Sequence, residues 1–235
     1  MRGRHRHFNP KDAGATAAFD ARFGLTMADG AAVDTWSNRT GTNNATQSTS
    51  TLRPIYRATG GNANTPAVEF DGTDDRLTHT IGITVAPNLI MAVATRTAGS
   101  NPSTIAAFMP PSTANFNNIY ARWVTGDNWG AAPGNSGQSI LNAYKICSAV
   151  PANANTASSS TTMWTNGANE TTVTGSRYGG DLLDRRVLGG AENAAASAQL
   201  TGSISQVIAI PLDVSAPVRR RLERAAGYSF KIACS

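Results

Sequence analysis

The apolar residues of this chain occur in short segments, and turns rich in glycine or asparagine separate them. Segments of four to eight apolar or alternating residues are typical of β-strands, whereas helices need longer runs with a three- to four-residue repeat. Many short strands joined by such turns predict an antiparallel β-sandwich or barrel. The strands are expected at Ala17–Ala21, Ala67–Phe70, Arg76–Thr80, Leu89–Ala94, Ile105–Met109, Ile119–Val124, Ile140–Val150, Thr161–Trp164, Thr171–Val173, Arg186–Leu188 and Ile204–Ile210.

Charged residues are scarce, at 15% of the chain. Amphipathic helices need Glu and Lys on their exposed faces, so a helical bundle or coiled coil is not expected. One segment does have helical spacing: Ser215 can cap it, Pro217 fits its first turn and Gly227 ends it. A last strand is then predicted at Tyr228–Ala233. The sequence has no apolar run of 18 residues, so no membrane-spanning helix is expected.

The net charge of +5 is concentrated near the N-terminus, where Arg2, Arg4 and Arg6 stand close together. We predict that residues 1–14 form a basic arm, in which these arginines and Lys11 dock onto an acidic partner, and that residues 15–235 form a single domain. Aromatic residues do not interleave with the arginines, so nucleic acid is not an expected partner. No apolar stretch follows the arm, and a secretion signal is therefore not expected.

Four segments resemble the concanavalin A-like lectin/glucanase superfamily, and in particular its laminin-G-like jelly-roll modules, which are frequent in phage virion proteins and bacterial surface proteins. The most specific is the Phe-Asp-Gly turn at residues 70–72. The resemblance implies an antiparallel jelly-roll sandwich with one short C-terminal helix. The four segments are Val33–Gln47, followed by Arg53-Pro54, then Pro66–Leu77, Met163–Gly167 and Gly202–Ile232.

Three aspartates, Asp71, Asp74 and Asp75, are clustered at that turn. Members of the superfamily often bind calcium through loop carboxylates, so the resemblance suggests these three as calcium ligands. The alternative is a structural turn with solvated aspartates. No other cofactor is expected.

The glycine-rich segment at residues 125–137 has the composition of an exposed loop and contains Asp127, Asn128 and Trp129. Trp129 on such a loop would either stack on a sugar ring or pack on another subunit, and the two neighbouring polar residues would assist in carbohydrate binding. The other large aromatic residues are predicted to lie in the core, namely Trp36, Phe70, Trp123 and Trp164.

Catalytic motifs are missing from the sequence. His79 is the only histidine outside the predicted arm, and we expect it on a strand surface, where it would not serve as a general base. Glycoside hydrolysis needs two carboxylates that flank the bond, and no two of Glu69, Glu170, Glu192 and Glu223 share a predicted strand. These observations predict that the protein is not an enzyme.

The resemblance and the basic arm lead to two predictions of function. The first is a structural protein of a phage virion, a capsid decoration protein or a tail or fibre protein, assembled in the host cytoplasm and docked on other virion proteins such as the major capsid protein. The resemblance makes a trimer plausible for such a protein. The alternative is a lectin-like module that binds cell-surface glycans. Cys147 and Cys234 are too widely spaced for a disulfide framework and are predicted to be free thiols.

Overall fold

The computed structural model describes residues 9–41, 43–80, 89–97, 103–109, 117–122, 128–131, 134–151, 158–176, 185–190, 199–211 and 213–235. Within these residues the chain is an all-β antiparallel sandwich with one C-terminal α-helix. The fold class predicted from the sequence is confirmed. None of the helices in the described ranges is long and apolar enough to cross a membrane.

The strands are β1 Ala17–Asp20, β2 Thr35–Trp36, β3 Ala45–Thr46, β4 Ile55–Arg57, β5 Ala67–Asp71, β6 Leu77–Thr80, β7 Leu89–Arg96, β8 Ser103–Met109, β9 Asn117–Arg122, β10 Asn128–Ala131, β11 Gly134–Ser139, β12 Lys145–Pro151, β13 Ser158–Thr165, β14 Ala168–Ser176, β15 Arg185–Leu188 and β16 Thr201–Ile210, and the helix is α1 Ala216–Phe230. Short 3₁₀ turns lie at Pro10–Ala13, Ser50–Leu52 and Asn62–Asn64.

Two eight-stranded sheets form the sandwich. The first, sheet A, has the order β14-β13-β12-β7-β16-β5-β4, and β1 also pairs with β16. The second, sheet B, has the order β11-β10-β9-β8-β15-β6-β3-β2. Half of the strand pairings join strands that are not consecutive in the chain, namely β12-β7, β7-β16, β16-β5, β1-β16, β8-β15, β15-β6 and β6-β3, so the core forms only when non-local strands pair.

Strand β7 lies near the middle of sheet A and is buried on both faces, as its continuous apolar sequence predicts. Ile90, Ala92 and Ala94 point into the core between the sheets. Leu89 and Met91 point to the opposite face, where they pack in the apolar layer beneath α1. Sheet A is therefore covered on its outer face as well as on its inner face.

Helix α1 continues past the glycine that was predicted to end it. Gly227 is buried inside the helix, and a Cβ atom there would lie 2.8 Å from the carbonyl oxygen of Ile232. Close packing, and not helix termination, thus requires glycine at this position. The helix ends instead at Lys231, whose φ is 55°. The prediction of a last strand at Tyr228–Ala233 is wrong.

A buried ion pair within α1 lies against sheet A. Both carboxylate oxygens of Glu223 accept hydrogen bonds from Arg219 at 2.6 Å. The guanidinium carbon of Arg219 lies 3.8 Å from the centre of the Trp164 ring on β13. The pair satisfies both buried charges, because each has a charged partner and the guanidinium also has an aromatic face.

One local prediction, the surface position of His79, is corrected by the core. His79 is fully buried and meets the Phe19 ring edge-on, with 5.1 Å between ring centres. It follows Leu77 by two residues on β6, so the alternation that buries Leu77 buries His79 too. Trp36 and Phe70 lie in the core as predicted, Trp164 is half-buried, and Trp123 lies outside the described residues.

Both thiols are free, as predicted. Cys147 lies on β12 and points into the core, where it is fully buried. Cys234 is half-buried after α1.

Candidate functional site

The outer face of sheet B contains a row of threonines. Trp36, Ala45 and Leu77 point into the core, so the residue beside each of them points outward. The strand register places Thr35 opposite Thr46, and Thr46 opposite Thr78. Three hydroxyl-bearing residues from β2, β3 and β6 thus lie side by side on this face.

This row forms one wall of an open polar groove of about 470 Å³. A short segment between β3 and β4 and the residue before β6 complete the groove. Its lining residues are Asp34, Thr35, Thr46, Gln47, Ser48, Arg53, Arg76 and Thr78. Each of these residues carries a polar group, so the part of the groove that the structure describes offers hydrogen bonds.

Gln47 holds the segments of the groove together. Its side-chain amide donates to the carbonyl oxygen of Arg76 at 3.2 Å, and its side-chain oxygen accepts from the amide of Thr49 at 3.1 Å. Its main-chain oxygen accepts from Nε of Arg53 at 2.9 Å. Because both polar ends of this nearly buried side chain are engaged, the groove has a defined shape before any ligand binds.

The groove residues were missed by sequence analysis as a site. Thr35, Thr46 and Thr78 come from three separate strands, and only the sheet register brings them together. The available signal was the segment Val33–Gln47 followed by Arg53-Pro54, which carried part of the family resemblance.

Trp129 is not on an exposed loop. It lies in β10, within the core, and has 0% exposure. Its indole nitrogen donates a hydrogen bond to Oγ1 of Thr165 at 2.8 Å. The expectation that Trp129 is available for stacking on a sugar is therefore corrected. The glycine-rich segment contains β10 and β11, and small residues suit the close approach of paired strands. Asn128 is half-buried at the start of β10, and Asp127 lies outside the described residues.

The structure brings Asp71, Asp74 and Asp75 together, with one carboxylate oxygen of each within 4.8 Å of the others. They lie in the turn that connects β5 of sheet A to β6 of sheet B. Asp71 Oδ1 accepts from the amides of Thr73 and Asp74, and Asp75 Oδ2 accepts from the amide of Asp71. Hydrogen bonds within the turn account for part of this geometry. Calcium binding by the three carboxylates stays a prediction, and the alternative is a structural turn.

Asp75 is the unusual member of this cluster because it is only 6% exposed. Burial raises its pKa to about 6, the hydrogen bond from the amide of Asp71 opposes that rise, and the neighbouring carboxylates add to it. A cation bound between the three carboxylates would lower the pKa of Asp75 again, since it would favour the charged form of each carboxylate.

The predicted arm is only partly described. Arg2, Arg4 and Arg6 lie outside the described residues. Lys11 is exposed on the short 3₁₀ turn at Pro10–Ala13, which Asn9 caps and in which Pro10 is buried. The docking role of these basic residues, and the division into residues 1–14 and 15–235, stay predictions.

No family model matches this chain, and no curated protein matches it. Solved structures do match. The chain is similar to a Trypanosoma rangeli sialidase in complex with sialic acid, at 12% identity and a TM-score of 0.61 over 95% of this chain. It is also similar to a GH54 α-L-arabinofuranosidase soaked with a cyclic sulfate inhibitor, at 11% identity and a TM-score of 0.62 over 93% of this chain.

The chain spans only part of these proteins, 34% of the sialidase and 64% of the arabinofuranosidase. At these identities the likeness establishes the fold alone, a β-sandwich of the jelly-roll type. The narrower resemblance to laminin-G-like modules receives no support from the comparisons.

Two functional predictions are corrected by these comparisons. The two structures named above are carbohydrate-processing enzymes, and this contradicts the prediction of a phage structural protein and the prediction that the protein is not an enzyme. The alternative from sequence analysis, recognition of carbohydrate, agrees better with them. Virion location, a capsid-protein partner and a trimeric state stay predictions.

Proposed function

We propose that this chain is a carbohydrate-binding β-sandwich domain and that the polar groove on sheet B is its glycan site. The observation that carries the proposal is the outward threonine row with an open groove of about 470 Å³ beside it. This volume lies within the range of small-molecule sites, about 300–1,000 Å³.

The groove has the hydrogen-bonding groups that sugar hydroxyls need. Among the described residues, the hydroxyls of Thr35, Thr46 and Thr78 have no hydrogen-bond partner, so each can both donate and accept. The exposed carboxylate of Asp34 can accept from two adjacent sugar hydroxyls, and Arg53 and Arg76 can donate. Recognition by the described lining residues would rest on polar contacts, since none of these eight residues is aromatic.

The first test is binding of the purified full chain to a glycan array, followed by calorimetry on the best ligand. The double variant Thr46→Val/Thr78→Val should weaken that ligand about 10-fold or more, because two buried sugar hydroxyls would lose their partners. The matched control is Thr162→Val/Thr172→Val, which removes a hydroxyl pair on sheet A that is 3.1 Å apart.

Two outcomes would overturn the proposal. One is the absence of binding to every glycan on the array. The other is binding that survives the groove variant and is lost in Phe23→Ala or Tyr228→Ala, the large exposed apolar residues of the described chain, at 53% and 62% exposure. Incubation of the same glycans with the protein, followed by detection of released sugar, would show whether the bound glycan is also hydrolysed.

A further inference from the structure

We infer that the groove selects glycans with an anionic group, a carboxylate or a sulfate, and that Arg76 with Arg53 binds that group. This inference rests on the proposed function and names the ligand class of the same site.

The two arginines come from neighbouring segments. The amide of Arg76 donates to the carbonyl oxygen of Leu52 at 3.1 Å, next to Arg53. Gln47 links both, because its side chain binds the main chain of Arg76 and its main-chain oxygen binds the side chain of Arg53. Both side chains line the one groove. Two guanidinium groups are therefore held at one site by the fold.

The hydrogen bonds of Arg76 leave its planar edge available. Nη1 donates to the carbonyl oxygen of Asp74 at 3.2 Å, and the described residues supply no partner for Nε or Nη2. Nε and Nη2 point the same way and match the two oxygens of a carboxylate or sulfate. Arg53 is oriented by two carbonyl oxygens, those of Gln47 and Ser48, and its Nη1 has no partner among the described residues.

The charge at the groove favours an anion. Elsewhere Arg22, Arg57 and Arg219 each pair with a carboxylate. Arg53 and Arg76 form no ion pair within the described residues and contact main-chain oxygens instead. Such contacts fix their positions without neutralising them.

Acidic residues are close by and oppose this charge in part. Asp34 lines the groove and is its one carboxylate among the described lining residues. Asp74 and Asp75 precede Arg76, but Arg76 contacts the main-chain oxygen of Asp74 and not its carboxylate. Two arginines against one carboxylate leave the described lining residues with a net positive charge.

The test compares three methyl glycosides that share one ring: a hexuronic acid, the neutral hexose and the hexose sulfate. Calorimetry with the full chain should show that one or both of the anionic glycosides bind about 10- to 100-fold tighter than the neutral one. A preference for the uronic acid over the sulfate, or the reverse, identifies the anionic group. The preference should decrease as salt is raised.

Three variants locate the effect. Arg76→Gln should remove the anionic preference, measured as the ratio of the anionic to the neutral affinity within the same variant. Arg76→Lys keeps the charge but not the planar edge, and should retain only part of the preference. Arg220→Gln, an exposed arginine on α1, removes the same charge away from the groove and should change nothing.

Equal affinity for neutral and anionic glycosides, with loss of both in the threonine variant, would overturn this inference and leave the proposed function intact. Anionic preference that survives Arg76→Gln would overturn it as well. Failure of every glycoside to bind would overturn both.

Discussion

The two outer faces of the sandwich differ in what they are built to contact. Sheet A presents an apolar outer face to α1, and Leu89, Met91 and Ile208 are buried there against Leu222 and Phe230. The outer face of sheet B presents threonines on β2, β3 and β6, and an open groove lies beside them. Burial on the first face stabilises the fold, whereas polarity on the second face leaves hydrogen-bonding groups for a ligand. Substitutions of the buried residues between sheet A and α1 should therefore change stability, and substitutions in the threonine row of sheet B should change binding.

The largest effect is expected for Phe230→Ala. Phe230 is fully buried between α1 and sheet A, so its truncation removes apolar contacts and leaves a cavity. Urea unfolding should show a loss of about 3–5 kcal/mol. The control is Tyr228→Ala on the exposed side of the same helix, which should change stability by less than about 0.5 kcal/mol. Equal losses in the two variants would show that α1 is not docked as described.

The next largest loss of stability is expected when the buried ion pair is broken. Arg219→Met leaves the fully buried Glu223 without its charged partner, and we expect a loss of about 3 kcal/mol at pH 7. The double variant Arg219→Met/Glu223→Leu should recover most of that loss, because no charge remains buried. Additive losses in a double-mutant cycle would contradict this account.

The turn that joins the two sheets should show a pH dependence in metal-free protein. The pKa of Asp75 is about 6 in the folded state, against an ordinary value of 3.8. The folded state therefore binds more protons between these values, and stability should fall as the pH rises from about 4 to about 6. Asp75→Asn should remove this dependence and raise stability at pH 7 by about 1–2 kcal/mol. A flat profile for the unchanged protein from pH 4 to pH 7 would contradict the assignment.

The same turn tests the calcium prediction. If Asp71, Asp74 and Asp75 hold calcium, adding it at pH 7 should raise the Tm of the unchanged protein and leave that of Asp75→Asn unaltered. Magnesium, which demands a stricter geometry, serves as the control. An unchanged Tm in saturating calcium would favour the structural turn.

The smallest effect on stability is expected at the groove. Thr46→Val/Thr78→Val should change the free energy of unfolding by less than about 0.5 kcal/mol, because both side chains lie on the solvent face. The same variant should lose glycan affinity. A large loss of stability here would remove the distinction between the two faces.

The sequence predicted the apolar strands better than the glycine-rich strands and the burial of the residues on them. Alternation and apolar runs identify β1, β7 and β16 to within a few residues, because burial imposes a two-residue period or a continuous run. The glycine-rich strands β10 and β11 were missed, since small residues weaken that pattern while still allowing strands to pair. Burial of Trp129 was missed for the same reason.

The groove could not be predicted from the sequence, for a different reason. Its threonines become neighbours because β2 pairs with β3 and β3 pairs with β6. The spacing of these threonines in the sequence does not predict those pairings. The burial of His79 could have been predicted, because it shares the parity of Leu77 on β6. The alternation of apolar residues along β6 is therefore a better guide to the position of this histidine than the polarity of its side chain.

The position of Cys147 has a practical consequence. It is fully buried on the inner face of β12, and burial raises the pKa of its thiol well above the ordinary value. Alkylating reagents should reach it only when the two sheets separate, whereas the half-buried Cys234 should be modified much sooner. The slow phase of thiol modification then measures how often the sandwich opens under native conditions, with no probe added to the chain.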